Sequence, residues 1–235
     1  MRISFTCRSL VIAAAALVGA GAHADPVSFV KLTGLVGSAP SIGTAVYKGD
    51  LGSLSGSFAA VVINDNSSGL GGATGQFSGF DLDAIKLSST NCADAACAAA
   101  APGLSLFNFL SGVVFTPGTQ RPPADAKLFG TGPGGNTLNN AVATLGAFDA
   151  VSATDATANG FISLGDNGSI AFNLTAATAT TGLFLYIGEV GDNGEVAASN
   201  IALLQNPVPE PETYALVLAG LGVVGWFGRR QRRGR

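Results

Sequence analysis

The sequence predicts an all-β protein, a β-sandwich flanked by a short apolar helix at each end. Three observations favour this fold. Short apolar runs rich in β-branched residues recur between clusters of turn residues. Glycine supplies 33 of the 235 residues, about twice the usual share. Charged residues make up only 11% of the chain, which is too few to cover the exposed helix faces of a bundle or a coiled coil.

Residues 1–24 have the three parts of a secretory signal peptide: a basic start, a short apolar run and a small-x-small ending, Ala-His-Ala. A buried N-terminal helix is the alternative, but the apolar run is short and positively flanked. We expect export through the Sec machinery and cleavage between Ala24 and Asp25. Cleavage there would remove Cys7 and the one histidine, His23.

Residues 25–206 form the predicted exported domain, and strand patterns dominate them. The run 58–64 is apolar and β-branched, and it ends in a cluster of turn residues. Residues 169–174 alternate between small or polar side chains and large apolar ones, which is typical of a strand with one buried face. The run 183–187 is apolar at every position, as we expect of a central strand.

Asp81 and Asp83 alternate with Phe80, Leu82 and Ala84. This period of two predicts a half-buried strand with both carboxylates on its solvated face. Two other roles stay open for them, as Ca²⁺ ligands or as a catalytic pair. Cα atoms two residues apart on a strand are separated by about 6.6 Å, which resembles the spacing of glycosidase carboxylates. The catalytic role is the weakest, because the exported domain has no tryptophan to line a sugar cleft.

The pattern Gly-Asp-Asn-Gly occurs twice, within residues 164–170 and within residues 190–196. Asp, Asn and Gly tolerate positive φ, so each copy predicts a tight hairpin turn. The second copy also offers oxygen ligands for Ca²⁺ in Asp192, Asn193 and Glu195. Because a Ca²⁺ site needs six or more oxygen atoms, we interpret both copies as structural turns and expect calcium binding to be weak at most.

Cys92 and Cys97 are the two cysteines of the exported domain, and we expect them to form a disulfide in an oxidising compartment. On an ideal helix, residues five apart point about 140° away from each other. A disulfide therefore predicts a loop at residues 89–103. A metal site would need two more soft ligands, and the domain has no further cysteine and no histidine. The proline- and glycine-rich stretch 116–136 predicts a long surface loop.

The composition of the exported domain excludes several classes of function. Without histidine it has no Ser-His-Asp or Cys-His site and no His-ligated zinc or haem. It has neither a phosphate-binding loop motif nor a G-x-G-x-x-G that enters a helix. Five basic and thirteen acidic residues give it a formal charge of −8, which disfavours nucleic acid as a partner. We therefore expect no catalysis and no cofactor.

The C-terminal segment, residues 207–235, has three parts. Prolines keep the first part extended, around Val208-Pro209-Glu210-Pro211. A charge-free run follows at 214–228, and at about 1.5 Å per residue it spans only about 22 Å of the ~30 Å membrane core. A basic cluster comes last and is expected to stay in the cytoplasm: Arg229, Arg230, Arg232, Arg233 and Arg235.

In this order, the Pro-Glu-Pro motif, the short apolar helix and the arginine cluster resemble the PEP-CTERM sorting signal. This signal occurs on exported proteins of Gram-negative bacteria, many of which make exopolysaccharide. The resemblance implies recognition by exosortase, an integral membrane cysteine protease-transpeptidase that cuts near the Pro-Glu-Pro. It also implies transient anchoring in the inner membrane before placement at the cell surface or in the matrix. A permanent tail anchor is the alternative.

Three segments, 140–149, 161–170 and 183–189, are together similar to a β-sandwich module of bacterial surface proteins, which is jelly-roll-like. The chain departs from that pattern at Phe148, where the module has proline, and at Asn167, where it has glycine. The similarity implies a sandwich and does not identify a ligand.

These features predict a non-enzymatic exported protein that exosortase sorts to the cell surface or to the exopolysaccharide matrix. Its domains are the signal peptide, 1–24, the β-sandwich interaction module, 25–206, and the sorting signal, 207–235. A secreted carbohydrate-active enzyme is a second hypothesis, which hydrolysis of matrix polysaccharide would favour. A permanently tail-anchored envelope protein is a third, which an intact C-terminus in the mature protein would favour.

Overall fold

The computed structural model describes residues 24–37, 43–66, 73–149, 160–209 and 219–220. Within these ranges the elements are β1 (Ala24–Pro26), β2 (Phe29–Val36), β3 (Thr44–Asp50), β4 (Ser57–Asn64), β5 (Asp81–Ser88), α1 (Ala95–Ala100), β6 (Val113–Thr116), β7 (Ile162–Ser163), β8 (Ser169–Ala179), β9 (Phe184–Val190), α2 (Glu195–Ala198) and β10 (Asn200–Leu204). Sheet 1 has the strand order β1-β10-β4-β8-β6, and sheet 2 has the order β2-β3-β9-β5-β7. Two antiparallel sheets confirm the all-β prediction and are consistent with a β-sandwich.

The two sheets share one large apolar core. In sheet 1, Val61 and Ile63 of β4 and Ile170 and Phe172 of β8 are almost completely buried in it. These are every second residue, because successive side chains of a strand point to opposite faces. The strands predicted from these two runs are confirmed as β4 and β8, and they pair directly with each other.

Strand β9 lies inside sheet 2, between β3 and β5. Leu185 and Ile187 belong to the main core, whereas Tyr186 belongs to a second apolar cluster and is also fully buried. Helix α1 covers Tyr186, because Ala95 and Ala98 of this helix belong to the same cluster. Burial on both faces explains why the run is apolar at every position, and the central-strand prediction is confirmed.

The prediction that Asp81 and Asp83 lie on a solvated strand face is wrong. Asp81 is 6% exposed and Asp83 is fully buried. The pairing of β5 with β9 shifts between Leu82 and Ile85, so a simple alternation of faces does not hold along this strand. The segment that connects β6 to β7 also packs against β5 at this irregularity, since the Ile85 N–H donates to the Leu145 carbonyl at 3.0 Å.

Both Gly-Asp-Asn-Gly segments are turns, but the prediction that each forms a hairpin is wrong. The first joins β7 of sheet 2 to β8 of sheet 1, and the second joins β9 of sheet 2 to β10 of sheet 1 through α2. Asn167 and Asp192 have positive φ values of 61° and 51°, as the turn residues predict. The pattern thus predicts the local backbone correctly, whereas the partners of the flanking strands depend on the whole fold.

The stretch 116–136 is largely irregular, as predicted, but it is not only a surface loop. Phe129 is 1% exposed, and its ring centroid lies 4.6 Å from that of Phe161. The Ser163 N–H of β7 donates to the Phe129 carbonyl at 3.1 Å. Because β7 is an edge strand, this part of the loop covers one edge of sheet 2.

The predicted signal helix and the predicted C-terminal apolar helix lie outside the described residues, apart from Ala24 and residues 219–220. Ala24 begins β1, in which Asp25 pairs with Leu203 of β10 at the edge of sheet 1. A mature chain that starts at Asp25 would keep two of the three β1 residues. Within the described ranges, no helix is both long enough and apolar enough to cross a membrane.

Candidate functional site

The beginning of the C-terminal segment is bound to sheet 1. Strand β10 ends at Leu204, and four residues later the main chain of Val208 meets the side chain of Asn173 in β8. The Val208 N–H donates to Asn173 Oδ1 at 2.7 Å, and Asn173 Nδ2 donates to the Val208 carbonyl at 2.9 Å. One side-chain amide therefore pairs with both main-chain groups of a residue, as a neighbouring strand would.

Strand register explains how the chain reaches Asn173. Leu204 lies opposite Ala60 of β4, and Ala60 lies opposite Asn173. Directly paired residues share one face of a sheet, and the adjacent Val61 faces the core, so this row faces outward. Neighbouring strands are about 4.8 Å apart, so Asn173 lies about 10 Å across the sheet from Leu204, a distance that four extended residues can span. Ala60, which lies between Leu204 and Asn173 in this row, is fully buried.

Val208 lies between two prolines, and these determine which main-chain donor Asn173 can bind. Val208 has the only main-chain N–H in Pro207-Val208-Pro209, because proline has none. Asn173 accepts a hydrogen bond from that single donor. Pro209 also restricts Val208 to extended geometry. The folded domain therefore reaches to within one residue of the Pro-Glu-Pro motif.

The structure places only part of the predicted sorting motif. Val208 and Pro209 are described, whereas Glu210 and Pro211 lie outside the described residues. The same holds for the arginines predicted to stay in the cytoplasm: Arg229, Arg230, Arg232, Arg233 and Arg235. The roles of these residues in retention and cleavage stay predictions.

Cys92 and Cys97 form a disulfide, with an S–S distance of 2.09 Å and Cα atoms 5.5 Å apart. Cys97 lies in α1, whereas Cys92 lies before it, so the loop prediction holds for Cys92 only. Cys92 is also held to sheet 2 through its main chain. Its N–H donates to the Tyr186 hydroxyl at 2.9 Å, and its carbonyl accepts from Lys48 Nζ at 2.8 Å. The disulfide therefore ties α1 to an anchored residue.

Asp81 and Asp83 accept hydrogen bonds from two different strands. The Ser163 hydroxyl of β7 donates to Asp81 Oδ1, and the Thr44 hydroxyl of β3 donates to Asp83 Oδ2 at 2.6 Å. Desolvation by burial raises the pKa of the Asp81 carboxyl well above its ordinary value. Side chains buried to this extent and paired within the fold are poorly placed to contact a polymeric substrate.

Glu195, the first residue of α2, is buried beside Asp81. It is 2% exposed, and its Oε2 accepts a hydrogen bond from the Asp81 main-chain N–H at 3.0 Å. Burial raises the pKa of the Glu195 carboxyl to about 9, and the charge of Asp81 contributes to the rise. Two nearby carboxyls cannot both ionise at low cost where water is excluded. We therefore expect one of them to be protonated at neutral pH.

Glu189, near the end of β9, holds the second Gly-Asp-Asn-Gly turn. Its Oε1 accepts from the N–H groups of Asn193 and Gly194 at 2.7 and 2.6 Å, and its Oε2 accepts from the Val196 N–H at 3.0 Å. These donors lie at the start of α2, where main-chain N–H groups lack helical partners. This role of Glu189 was not predicted from the sequence. The one available signal was a carboxylate at the end of an otherwise apolar strand.

The weak calcium candidates Asp192, Asn193 and Glu195 do not converge on one point. Asp192 forms an ion pair with Lys31 of β2, whereas Glu195 contacts Asp81 inside the domain. Within the part of the chain that the structure describes, no group of three or more His, Cys, Asp or Glu side chains could hold a metal ion. That calcium binds weakly at most stays a prediction.

Comparison with protein families finds a PEP-CTERM protein-sorting motif at residues 207–233. The match begins beside Val208 and includes the Pro-Glu-Pro, the apolar run and most of the arginines. Neither the curated proteins nor the solved structures contain a match to this chain. The motif implies export, transient anchoring in a membrane and processing by exosortase. The chain therefore carries, directly after an all-β domain, the PEP-CTERM sorting motif of exported proteins targeted to exosortase.

Proposed function

We propose that this chain is a non-enzymatic exported protein of a Gram-negative bacterium, sorted by exosortase to the cell surface or to the exopolysaccharide matrix. Its β-sandwich acts there as an interaction module. The observation that carries the proposal is the sorting motif at residues 207–233, which begins three residues after the last strand ends at Leu204. A sorting signal that directly follows a folded domain has that domain as its cargo.

The carboxylates support a role without catalysis. Asp81 and Asp83 were the candidate catalytic pair, and both are buried with hydroxyl partners from other strands. The exported residues 25–206 also contain no histidine, so a histidine-based acyl-transfer site has no general base.

A groove beside β6, the edge strand of sheet 1, supports a neutral polysaccharide as the partner. Its volume is about 540 Å³. Phe109 and Leu110 supply apolar surface, with Leu110 85% exposed, and Asn136 and Asn140 supply amide groups. The described residues that line the groove include no charged side chain. Amide donors and acceptors beside apolar faces suit an uncharged sugar chain better than an ionic partner.

The proposal is tested on protein exported by a strain that has exosortase. The processed protein is recovered from the surface and matrix fractions and applied to a glycan array and to purified matrix polysaccharide. We expect binding to neutral glycans without release of shorter sugars. Leu110→Ser should weaken binding, whereas the matched control Val30→Ser should not, because Val30 is an exposed apolar residue of β2, in the other sheet. Clear hydrolysis would favour a carbohydrate-active enzyme instead.

A further inference from the structure

We propose that Asn173 is a positioning residue for exosortase processing: its side-chain amide holds Val208 on sheet 1 and thereby sets where the Pro-Glu-Pro motif leaves the domain. The inference rests on the proposed function, because it concerns the cleavage that the sorting motif undergoes. It assigns a role in that reaction to a residue of the folded domain, 34 positions before the matched motif begins at residue 207.

The contact is built to hold a main chain. Both polar atoms of the Asn173 amide are bonded to Val208, and neither bond involves the valine side chain. Asn173 itself is fixed independently, since its own N–H donates to the Gly112 carbonyl at 2.7 Å. Two neutral hydrogen bonds of ordinary strength favour the bound segment over the free one by roughly 5- to 150-fold.

This clasp, the pair of hydrogen bonds between Asn173 and Val208, also limits the distance between the domain and the membrane. Five residues lie between Val208 and the start of the apolar run at Tyr214, so the six steps from Val208 to Tyr214 span at most about 20 Å when extended. Release of Val208 from Asn173 would free the chain from residue 205 onward, which would add about 13 Å of slack and would let the domain rotate. With the clasp closed, the motif begins at a fixed place and in extended geometry. A protease that binds an extended backbone then avoids part of the entropic cost of ordering it.

The first arm of the test measures the clasp on the full-length chain in detergent micelles. Hydrogen exchange of the Val208 N–H should be slow in the wild type and at least fivefold faster in Asn173→Ala. The matched control is Asn64→Ala, on the same face of the neighbouring strand β4, because Asn64 Nδ2 binds the Asn200 carbonyl at 3.3 Å and not Val208. Thermal unfolding of both variants should stay close to that of the wild type.

The second arm measures processing in cells that have exosortase, by pulse-chase labelling and by mass spectrometry of the new C-terminus. Asn173→Ala should slow processing at least fivefold and should produce more than one C-terminus, whereas Asn64→Ala should behave as the wild type. Val208→Pro removes the N–H that donates to Asn173 Oδ1. Because Val208 lies after the last strand, this change should leave the sandwich folded. Val208→Pro keeps the carbonyl that accepts from Asn173 Nδ2, so in this background Asn173→Ala should slow processing further, but by less than it does in the wild type, because one of the two bonds is already lost.

Unchanged or faster processing of Asn173→Ala, with the single C-terminus of the wild type, would overturn the proposal. Additive effects of Asn173→Ala and Val208→Pro would overturn it as well, because the two residues would then act separately. Failure of the proposed function looks different: the wild type itself would stay unprocessed in cells that have exosortase. If Asn173→Ala unfolds the domain, Asn173→Asp decides the outcome by its processing rate and its set of C-termini, because it keeps the shape of the side chain, loses the Nδ2 donor to the Val208 carbonyl and leaves the motif unchanged.

Discussion

The main-chain N–H of Asp81 donates a hydrogen bond to Glu195 Oε2 at 3.0 Å, and this bond joins β5 of sheet 2 to the helix that leads into sheet 1. Both side chains are buried, at 6% and 2% exposure. A carboxyl group in such a place favours its neutral form, because burial removes the water that would solvate its charge. The stability of this contact between β5 and α2 therefore depends on pH.

We predict that the free energy of unfolding falls as pH rises between about 5 and 9. The pKa of Glu195 rises from its ordinary value of 4.5 to about 9 in the folded domain, so in this range the folded state keeps a proton that the unfolded state has released. This contribution is fully present below the unfolded pKa and is lost as pH rises through the folded pKa. Urea unfolding at several pH values should show the slope, and Glu195→Gln should flatten it. Equal slopes for the variant and the wild type would contradict the assignment.

The disulfide should be present in exported protein and should stabilise the domain modestly. Its ring is short, so the combined change Cys92→Ser and Cys97→Ser should lower the free energy of unfolding by only about 2 kcal/mol. The sandwich should stay folded, because Tyr186 and Lys48 hold the Cys92 main chain independently of the sulfur. Intact mass with and without reduction, followed by alkylation, measures the bond. Two thiols that alkylate in unreduced exported protein would show that it does not form.

The two Gly-Asp-Asn-Gly turns should respond differently to alanine at their last glycine. A Cβ at Gly168 would overlap the Leu164 carbonyl oxygen and lie 2.8 Å from the Gly118 nitrogen. Gly168→Ala should therefore cost about 2–3 kcal/mol. Gly194 has φ +90° and open space around it, so Gly194→Ala should cost only about 1 kcal/mol of backbone strain. Chemical unfolding of the two variants compares them, and an equal loss would contradict the distinction.

Local patterns were enough to predict the strands whose side chains simply alternate or are all apolar. Strands β4, β8 and β9 lie where their sequence patterns place them, because each pattern records which faces of one strand are buried. The sorting motif could also be predicted from sequence, since its three parts are consecutive and require no folded partner.

Contacts between distant segments could not be predicted in this way. Asp81 and Asp83 have the sequence pattern of a solvated face, and their burial depends on Ser163, Thr44 and Glu195, which lie far away in sequence. The crossing of both turns between sheets depends on strand order and not on turn residues. The clasp between Asn173 and Val208 could not be predicted for the same reason. The register of β10, β4 and β8 places Leu204, Ala60 and Asn173 in one row across sheet 1, and this brings Asn173 within reach of the chain that follows β10.

The proposed function depends above all on the residues from Val208 onward, which we expect to be a processing signal. Glu210→Ala or Pro211→Ala should leave export intact and trap full-length protein in the inner membrane, because the motif is then not recognised. Deletion of residues 229–235 should weaken retention before processing, so that some protein escapes uncut, because these arginines are expected to hold the C-terminus in the cytoplasm.

C-terminal peptide mass spectrometry of surface and membrane fractions, in cells with and without exosortase, tests this role of the tail without any substitution. We expect the surface form to end near the Pro-Glu-Pro motif and to lack Trp226 and the arginines that follow it. Without exosortase, the full-length C-terminus should be found in the membrane fraction. A surface form that still carries Trp226 and the arginines would show that the tail is a lasting anchor and not a processing signal.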